Sequence, residues 1–472
     1  MSILCMNPAD FVGRACCVSF VLLSSCSDLS DSEVKQSEID PSPKDRQPNI
    51  VLLLADDLGW NDVGYHGGDY PTPQIDQLAR DGTRLENFYV QPLCSPTRAA
   101  LLTGRYPMRY GLQSCALRPW AEAGLALTET TLADALREVG YTTAIVGKWH
   151  LGHHAIAYLP MARGFDHQYG PFNGGVNYVT HQRMGRLDWN RDQEPLEEEG
   201  YATSLIANEA TRLIYEHDFA QPLFLYVPFT AVHSPRSAPA SLVKRFSHLE
   251  PEARRIYAAM VSSLDRAVGD VVKALEKVGV RDDTLILFGS DNGGAPGMGD
   301  NGSLRGFKGE LGEGAVRTSW LASWPGRIPK GVIQSEPLHV VDIFPTLLFL
   351  AANGAEADQV DGVNVFSVIL GDAFRSSEDF LIYSGPRGGA MRSGDLKLVI
   401  EKRVKGEDPV VELFNLSMDP NEQNNLAEVL TEERAAMQAQ LDAWAASAVP
   451  PISLDAKRPD DFVPPEIWGQ TR

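Results

Sequence analysis

Two pairs of hard oxygen ligands stand side by side in the chain, Asp56-Asp57 and Asp291-Asn292. Neighbouring carboxylates repel each other, and burying both is expensive without a cation. An all-oxygen set suits Ca²⁺ or Mg²⁺ and not zinc. Taken singly, each pair reads equally well as the cap of a turn or helix. Cys94 lies in Leu93-Cys94-Ser95-Pro96-Thr97-Arg98, followed by the apolar run Ala99–Leu102. Pro96 fits a first helical turn, so Cys94 falls at a helix N-terminus, where the dipole stabilises negative charge. A lone Cys is either a small buried hydrophobe or a low-pKa nucleophile, and spacing leaves both open.

The elements that position these groups follow from the pattern of apolar runs. Asn49–Leu54 ends in Asp56-Asp57, and Thr142–Val146 ends in Gly147-Lys148-Trp149-His150. Pro222–Val227 leads to Ala231-Val232-His233-Ser234-Pro235, and Thr284–Ser290 leads straight into Asp291-Asn292-Gly293-Gly294. Each polar cluster follows the C-terminal end of a strand, the edge at which open α/β sheets bind ligands. A fifth cluster, Arg305 to Lys308, lies in a Gly-rich loop that can close over that edge.

Helical spacing falls between the strands: Leu132, Leu136 and Val139 stopped by Gly140, and Ile256 to Leu275 closed by Gly279. The fold class is therefore α/β, a mostly parallel sheet flanked by helices. Beyond about residue 372 the runs Phe380–Tyr383, Leu396–Ile400 and Val410–Leu416, with a helix around Glu432–Ala446, predict a smaller α+β subdomain. The boundaries are 48–372 for the first domain and 373–472 for the second.

The chain has 472 residues, with 42 Lys+Arg against 62 Asp+Glu, a net charge of −20. That field repels nucleic acid and anionic membrane faces, so no nucleic-acid partner is expected. Four of six Cys (Cys5, Cys16, Cys17, Cys26) lie in the first 26 residues, so the body has no disulfide framework. The run Ala15–Ser25 after Arg14 fits a signal peptide over residues 1–25. It ends Leu23-Ser24-Ser25-Cys26, resembling a lipobox, so export to the periplasm or cell surface of a bacterium is expected, with a lipid at Cys26 as the membrane contact. Residues 26–47 read as a flexible tether. Cys115 reads as a plain buried or rim cysteine, His153 and His154 as surface or rim, and Trp60 and Trp149 as packing residues.

Cys94-x-Pro96-x-Arg98 resembles the signature of formylglycine-dependent sulfatases, in which the Cys is converted after translation to formylglycine. Leu101-Leu102-Thr103-Gly104-Arg105, Ala55-Asp56-Asp57-Leu58-Gly59-Trp60, Gly147-Lys148-Trp149-His150-Leu151-Gly152 and Asp291-Asn292-Gly293-Gly294 are similar to that family in the same order. The run Ala55–Gly68 and Gln91-Pro92-Leu93-Cys94 are most similar to the arylsulfatase B (N-acetylgalactosamine-4-sulfatase) type, although further disulfide-bonded cysteines of that type are absent here.

The resemblance implies an alkaline-phosphatase-like α/β fold and hydrolysis of sulfate monoesters on sulfated carbohydrate. It implies one Ca²⁺, with Mg²⁺ the lesser choice, held by Asp56, Asp57, Asp291, Asn292 and the modified Cys94. It further implies a maturation enzyme that makes formylglycine. Arg98 and Lys148 would hold the hydrate and sulfate charge, His150 would take a proton during elimination, and His233 and Lys308 would bind sulfate and protonate the leaving oxygen. A formylglycine-dependent phosphonate or phosphodiester hydrolase, or a catalytically dead glycan-binding lipoprotein, are the competing readings. Residues 118–124, 174–181 and 183–199 match no pattern.

Overall fold

The computed structural model describes residues 47–114, 116–375, 379–402, 407–452 and 457–469. The expected signal peptide, the tether apart from Gln47, and Cys115 lie outside the described residues. No helix among the described residues is long and apolar enough to cross a membrane.

Four strands carry the site: β1 (Asn49–Ala55), β2 (Thr142–Val146), β3 (Leu223–Pro228) and β4 (Thr284–Ser290). They are parallel neighbours in the order β4-β1-β3-β2, at the middle of a ten-stranded mixed sheet. Their composition explains the placement. Strands covered by helices on both faces need apolar side chains at every position. All seven residues of β1 are buried, with Ile50, Leu52 and Leu54 packing on one face and Val51, Leu53 and Ala55 on the other. The flanking strands Trp320–Ser323 (antiparallel to β4) and His167–Gly170 (parallel to β2) extend the sheet.

α1 (Cys94–Thr103) covers the first face with Ala99 to Leu102. α2 (Leu132–Glu138) joins the same core, opened by a reciprocal capping box between Thr131 and Asp134. Gly140 follows it in the left-handed region, as the sequence predicts. α3 (Glu252–Lys277) covers the second face, its buried stripe including Tyr257, Met260, Leu264, Val268, Val271 and Leu275.

The C-terminal part is an antiparallel sheet of four strands where sequence runs predict three: β5 (Asp379–Gly385), β6 (Gly388–Ser393), β7 (Leu396–Glu401) and β8 (Val410–Asn415). β6 reads Gly-Gly-Ala-Met-Arg-Ser, too poor in branched and aromatic residues to announce a strand. It forms because β5 and β7 pair with it on both sides. α4 (Thr431–Ala446) lays Met437 and Leu441 into the core. Phe380, Ile382, Tyr383, Ala390 and Val399 pack on Tyr89, Leu311, Ala315 and Val316 of the larger part.

Candidate active site

The strand register brings the two acidic pairs together. Ala55 pairs with Ser290 across β1 and β4, so Asp56-Asp57 and Asp291-Asn292 leave the sheet side by side. The Asp291 N–H donates to the Ala55 carbonyl at 3.1 Å, and the Asp56 N–H to the Ala231 carbonyl at 2.9 Å, which draws in the segment after β3. The Lys148 N–H donates to the Pro228 carbonyl at 2.7 Å. Gly147 makes that approach possible, since a Cβ there would meet Pro228 O at 2.0 Å. Asp57 and His150 both hold left-handed backbone at φ 65° and 61°, strain of the kind that concentrates at functional sites.

Cys94 is the first residue of α1 and 1% exposed, with Pro96 in the first turn. One turn on, the buried Arg98 places its Nε 2.9 Å and an Nη 2.8 Å from Asp291 Oδ2, and donates to the Lys148 carbonyl at 3.0 Å. Lys148 is fully buried and its ammonium donates to Asp56 Oδ2. Lys308 donates to Asp57 Oδ1, and the Asn292 amide donates to the same oxygen at 2.8 Å. His150 Nε2–H donates to the Leu117 carbonyl at 2.9 Å, and its Nδ1 is buried without a hydrogen-bond partner. His233 Nδ1–H donates to the Ser234 carbonyl at 2.6 Å, with Nε2 3.9 Å from Asp57 Oδ2.

The electrostatics divide the acids from one another. Burial raises the Asp56 carboxyl above its ordinary value despite Lys148. Burial also acts to raise Asp57, but Lys308, His233 and the Asn292 amide outweigh it and hold that group well below the carboxylate range. Burial pushes His150 far down, with Lys148 adding to the effect, and pushes His233 down to about 3 against the pull of Asp57. Both imidazoles are therefore neutral near pH 7. Lys308 is half-buried, which acts to lower its pKa, yet Asp57, with Cys94 and Asp56 behind it, raises it, so the ammonium keeps its proton.

A divalent cation fits these residues. Asp56 Oδ1 and Asn292 Oδ1 are buried oxygens without hydrogen-bond partners, which is costly unless something positive takes their lone pairs. Ligand atoms of Asp56, Asp57 and His233 lie within 4.8 Å of one another. The set of Asp and Asn oxygens is the hard-donor chemistry that Ca²⁺ and Mg²⁺ take.

Every site residue named from sequence thus lies around this edge, whereas Arg305 turns away. It pairs with Glu412 at 3.1 Å and Glu422 at 3.2 Å, so of that loop's two cations it is Lys308 that reaches Asp57. His153 is a correction: it is 7% exposed, its Nε2–H donating to the Pro119 carbonyl at 3.0 Å, while His154 is exposed as expected. Trp149 packs in the core and Trp60 stacks on His66, both as predicted.

Sequence reasoning missed Ser95, whose hydroxyl donates to the His150 carbonyl and accepts from Leu117 N–H, pinning two loops to the start of α1. It is an unassigned position between Cys94 and Pro96, and a hydroxyl at that place was the available signal. Tyr178, whose hydroxyl bridges the Thr230 and His233 carbonyls, lies in a segment with no pattern.

The sulfatase family profile matches residues 48–353. The chain belongs to the sulfatase family. This sulfatase-family chain is 37% identical to mouse arylsulfatase J over 387 residues, 78% of this chain but only 65% of that protein's length. It is 34% identical to human arylsulfatase A over 461 residues, covering 84% of this chain and 89% of that protein. Among solved structures, Ps i-CgsB in complex with k-i-k-neocarrahexaose superposes with a TM-score of 0.79 at 31% identity, covering 86% of this chain and 94% of that one.

Proposed function

We propose that the protein hydrolyses sulfate monoesters on sulfated sugars of a glycan, with Cys94 converted to formylglycine as the nucleophile. The observation that carries this reading is the convergence of Arg98, Lys148 and Lys308 on two buried acidic pairs beside a cysteine at a helix N-terminus. A sulfate ester is an anion, and an anionic nucleophile approaches it only where positive charge is fixed beforehand. The complex of the relative with a carrahexaose supports a glycan substrate.

Asp56, Asp57, Asp291, Asn292 and the modified Cys94 would hold one Ca²⁺, which when bound polarises the sulfate as a Lewis acid. The remaining roles belong to the chain. One hydroxyl of the Cys94-derived hydrate, its proton first lost to solvent, attacks sulfur as the alkoxide; the bond from sulfur to the sugar oxygen breaks, and that oxygen leaves as the alcohol, taking its proton from Lys308. The structure of the site favours Lys308 over His233 for that step. His233 is neutral, and its one N–H is given to Ser234. The second hydroxyl then yields its proton to His150 Nδ1, sulfate is eliminated, and the aldehyde returns. Arg98 is held by Asp291 and the Lys148 carbonyl, so it fixes charge at the nucleophile without exchanging protons.

Turnover of an aryl sulfate and an aryl phosphodiester by the matured protein tests the reading. The sulfate is expected to be the far better substrate. Preference for the phosphodiester, or no turnover of either, would overturn it.

A further inference from the structure

A cavity of about 440 Å³ is lined in part by residues that follow the loops of the reaction centre in the chain. Its walls come from stretches far apart in the chain: Trp120 and Glu122, His153 and His154, and Phe462 and Trp468 of segment 457–469. Two of these stretches run directly out of the centre. Leu117, which receives the His150 imidazole, stands three residues before Trp120, and His150 itself stands three residues before His153. Three residues of extended chain reach at most about 10 Å, so the aromatic wall begins within one sugar ring or two of the catalytic imidazole.

The wall is fixed before any ligand arrives. Trp120 and Phe462 meet edge to face with centroids 6.2 Å apart, and His153 and Trp468 do the same at 5.3 Å. Trp468 is 2% exposed, its indole N–H donating to the Arg183 carbonyl at 3.0 Å and its backbone N–H to the Leu187 carbonyl at 3.1 Å. The segment 457–469 is thereby tied to the hairpin that contains Arg183 and Leu187.

The chemistry of the lining selects its ligand. Aromatic rings pack on the C–H faces of a pyranose, and polar groups around them take its hydroxyls. Glu122, Asp461 and His154 stand exposed around the aromatic rings. Burial pushes the His153 imidazole down to about 4, so it adds no positive charge near neutral pH. The lining carries two carboxylates and no Lys or Arg, Arg183 acting on His153 from outside it, so a second sulfate or uronate is disfavoured there. The fixed cations that meet the sulfate lie instead in the centre, at Arg98, Lys148 and Lys308.

We propose that this cavity is a subsite for an uncharged pyranose ring of the glycan, adjacent to the sugar whose sulfate ester is set at Cys94. The inference rests on the sulfate-ester reading above and adds to it that the substrate is an oligosaccharide or polymer, gripped on a ring that carries no charge.

Binding measured by calorimetry on the Cys94→Ala protein tests it without turnover. The probes are sulfated hexasaccharides from carrageenan, fucoidan, chondroitin sulfate and heparin, each against its own sulfated monosaccharide. At least one hexasaccharide with an uncharged ring beside its sulfated one, as carrageenan has, is expected to bind roughly tenfold tighter than its monosaccharide, about 1.4 kcal/mol, and a gain confined to heparin, where uronates alternate with sulfated rings, would contradict the uncharged ring. Trp120→Ala and Phe462→Ala each reduce that gain to less than about threefold, while Trp120→Phe, which keeps a ring, preserves it. Thermal melting separates lost binding from lost folding, and Phe462 is half-buried and outside the hydrophobic clusters of the core. No gain for any hexasaccharide, or an undiminished gain in both alanine variants, overturns the subsite. Loss of aryl sulfate turnover in the wild-type protein with the hexasaccharide gain intact would sink the reaction and spare the subsite; the converse would do the opposite.

Discussion

The reaction centre and the cavity beside it are built on opposite terms. The centre is ionic and mostly buried: Asp56, Lys148, Asp291 and Asn292 beyond strand ends, and Arg98 on α1, are all 0% exposed, while Lys308 and His233 keep part of their side chains in solvent. The cavity is aromatic and half-open, assembled from loops and from a segment more than 300 residues downstream of Trp120. Charges that must face one another in a dry site tolerate few alternatives, because an unpaired one is costly. A sugar-facing wall needs only flat surfaces and scattered hydrogen-bond groups, so many residue combinations serve. Fixed chemistry is therefore written in short motifs, and selectivity in contacts between distant segments.

The comparison is broken most severely by removing what braces the centre from outside. Lys397 of β7 is fully buried, 2.8 Å from Glu313 and 2.9 Å from Glu422, and Glu422 also holds Arg305, three residues before Lys308. Lys397→Met leaves buried carboxylates short of a cation and is expected to cost about 3–5 kcal/mol, read as a lower midpoint in denaturant unfolding. A midpoint within error of wild type would show that the network does not brace the fold.

Within the centre, Lys308→Ala removes the proposed proton donor and one fixed cation. Turnover is expected to fall roughly 10²–10³-fold, with the larger loss on sugar sulfates whose leaving alcohol needs a proton. An equal loss on an aryl sulfate with an acidic phenol leaving group would remove Lys308 from the acid role.

At the cavity the expected effect is smaller and appears as pH dependence. His153 has a folded pKa of about 4 against an ordinary value of about 6.5. Between those values the unfolded chain binds a proton that the folded chain refuses, so stability present above pH 6.5 is lost as pH falls toward 4. The slope from this group is at most about 1.4 kcal/mol per pH unit. His153→Gln should flatten the difference in melting temperature between pH 6.5 and 4. An unchanged difference would mean that the folded protein takes up the proton freely.

What was legible in the sequence follows the same division. The four strands and the polar cluster after each were readable because a doubly covered parallel strand must be apolar throughout and must end abruptly at its ligands. Cys94, Arg98, Lys148, His150, His233 and Lys308 stood in motifs. The pairing of Arg305 with Glu412 and Glu422 was not readable, because it spans more than 100 residues and the acids lie in unremarkable surroundings. His153 was expected at the surface or rim because nothing nearby in sequence reveals that Trp468 packs against it. The strand β6 escaped for want of β-forming residues, its pairing being imposed from both sides.

The central claim is that Cys94, at the meeting point of these charges, acts in a converted form. The mass of the proteolytic peptide containing Cys94, taken from protein made in its own cells, tests this most directly. The account predicts a peptide in which the thiol-bearing carbon has become an aldehyde, hydrogen sulfide lost and one oxygen gained. An unmodified cysteine in that peptide would contradict it.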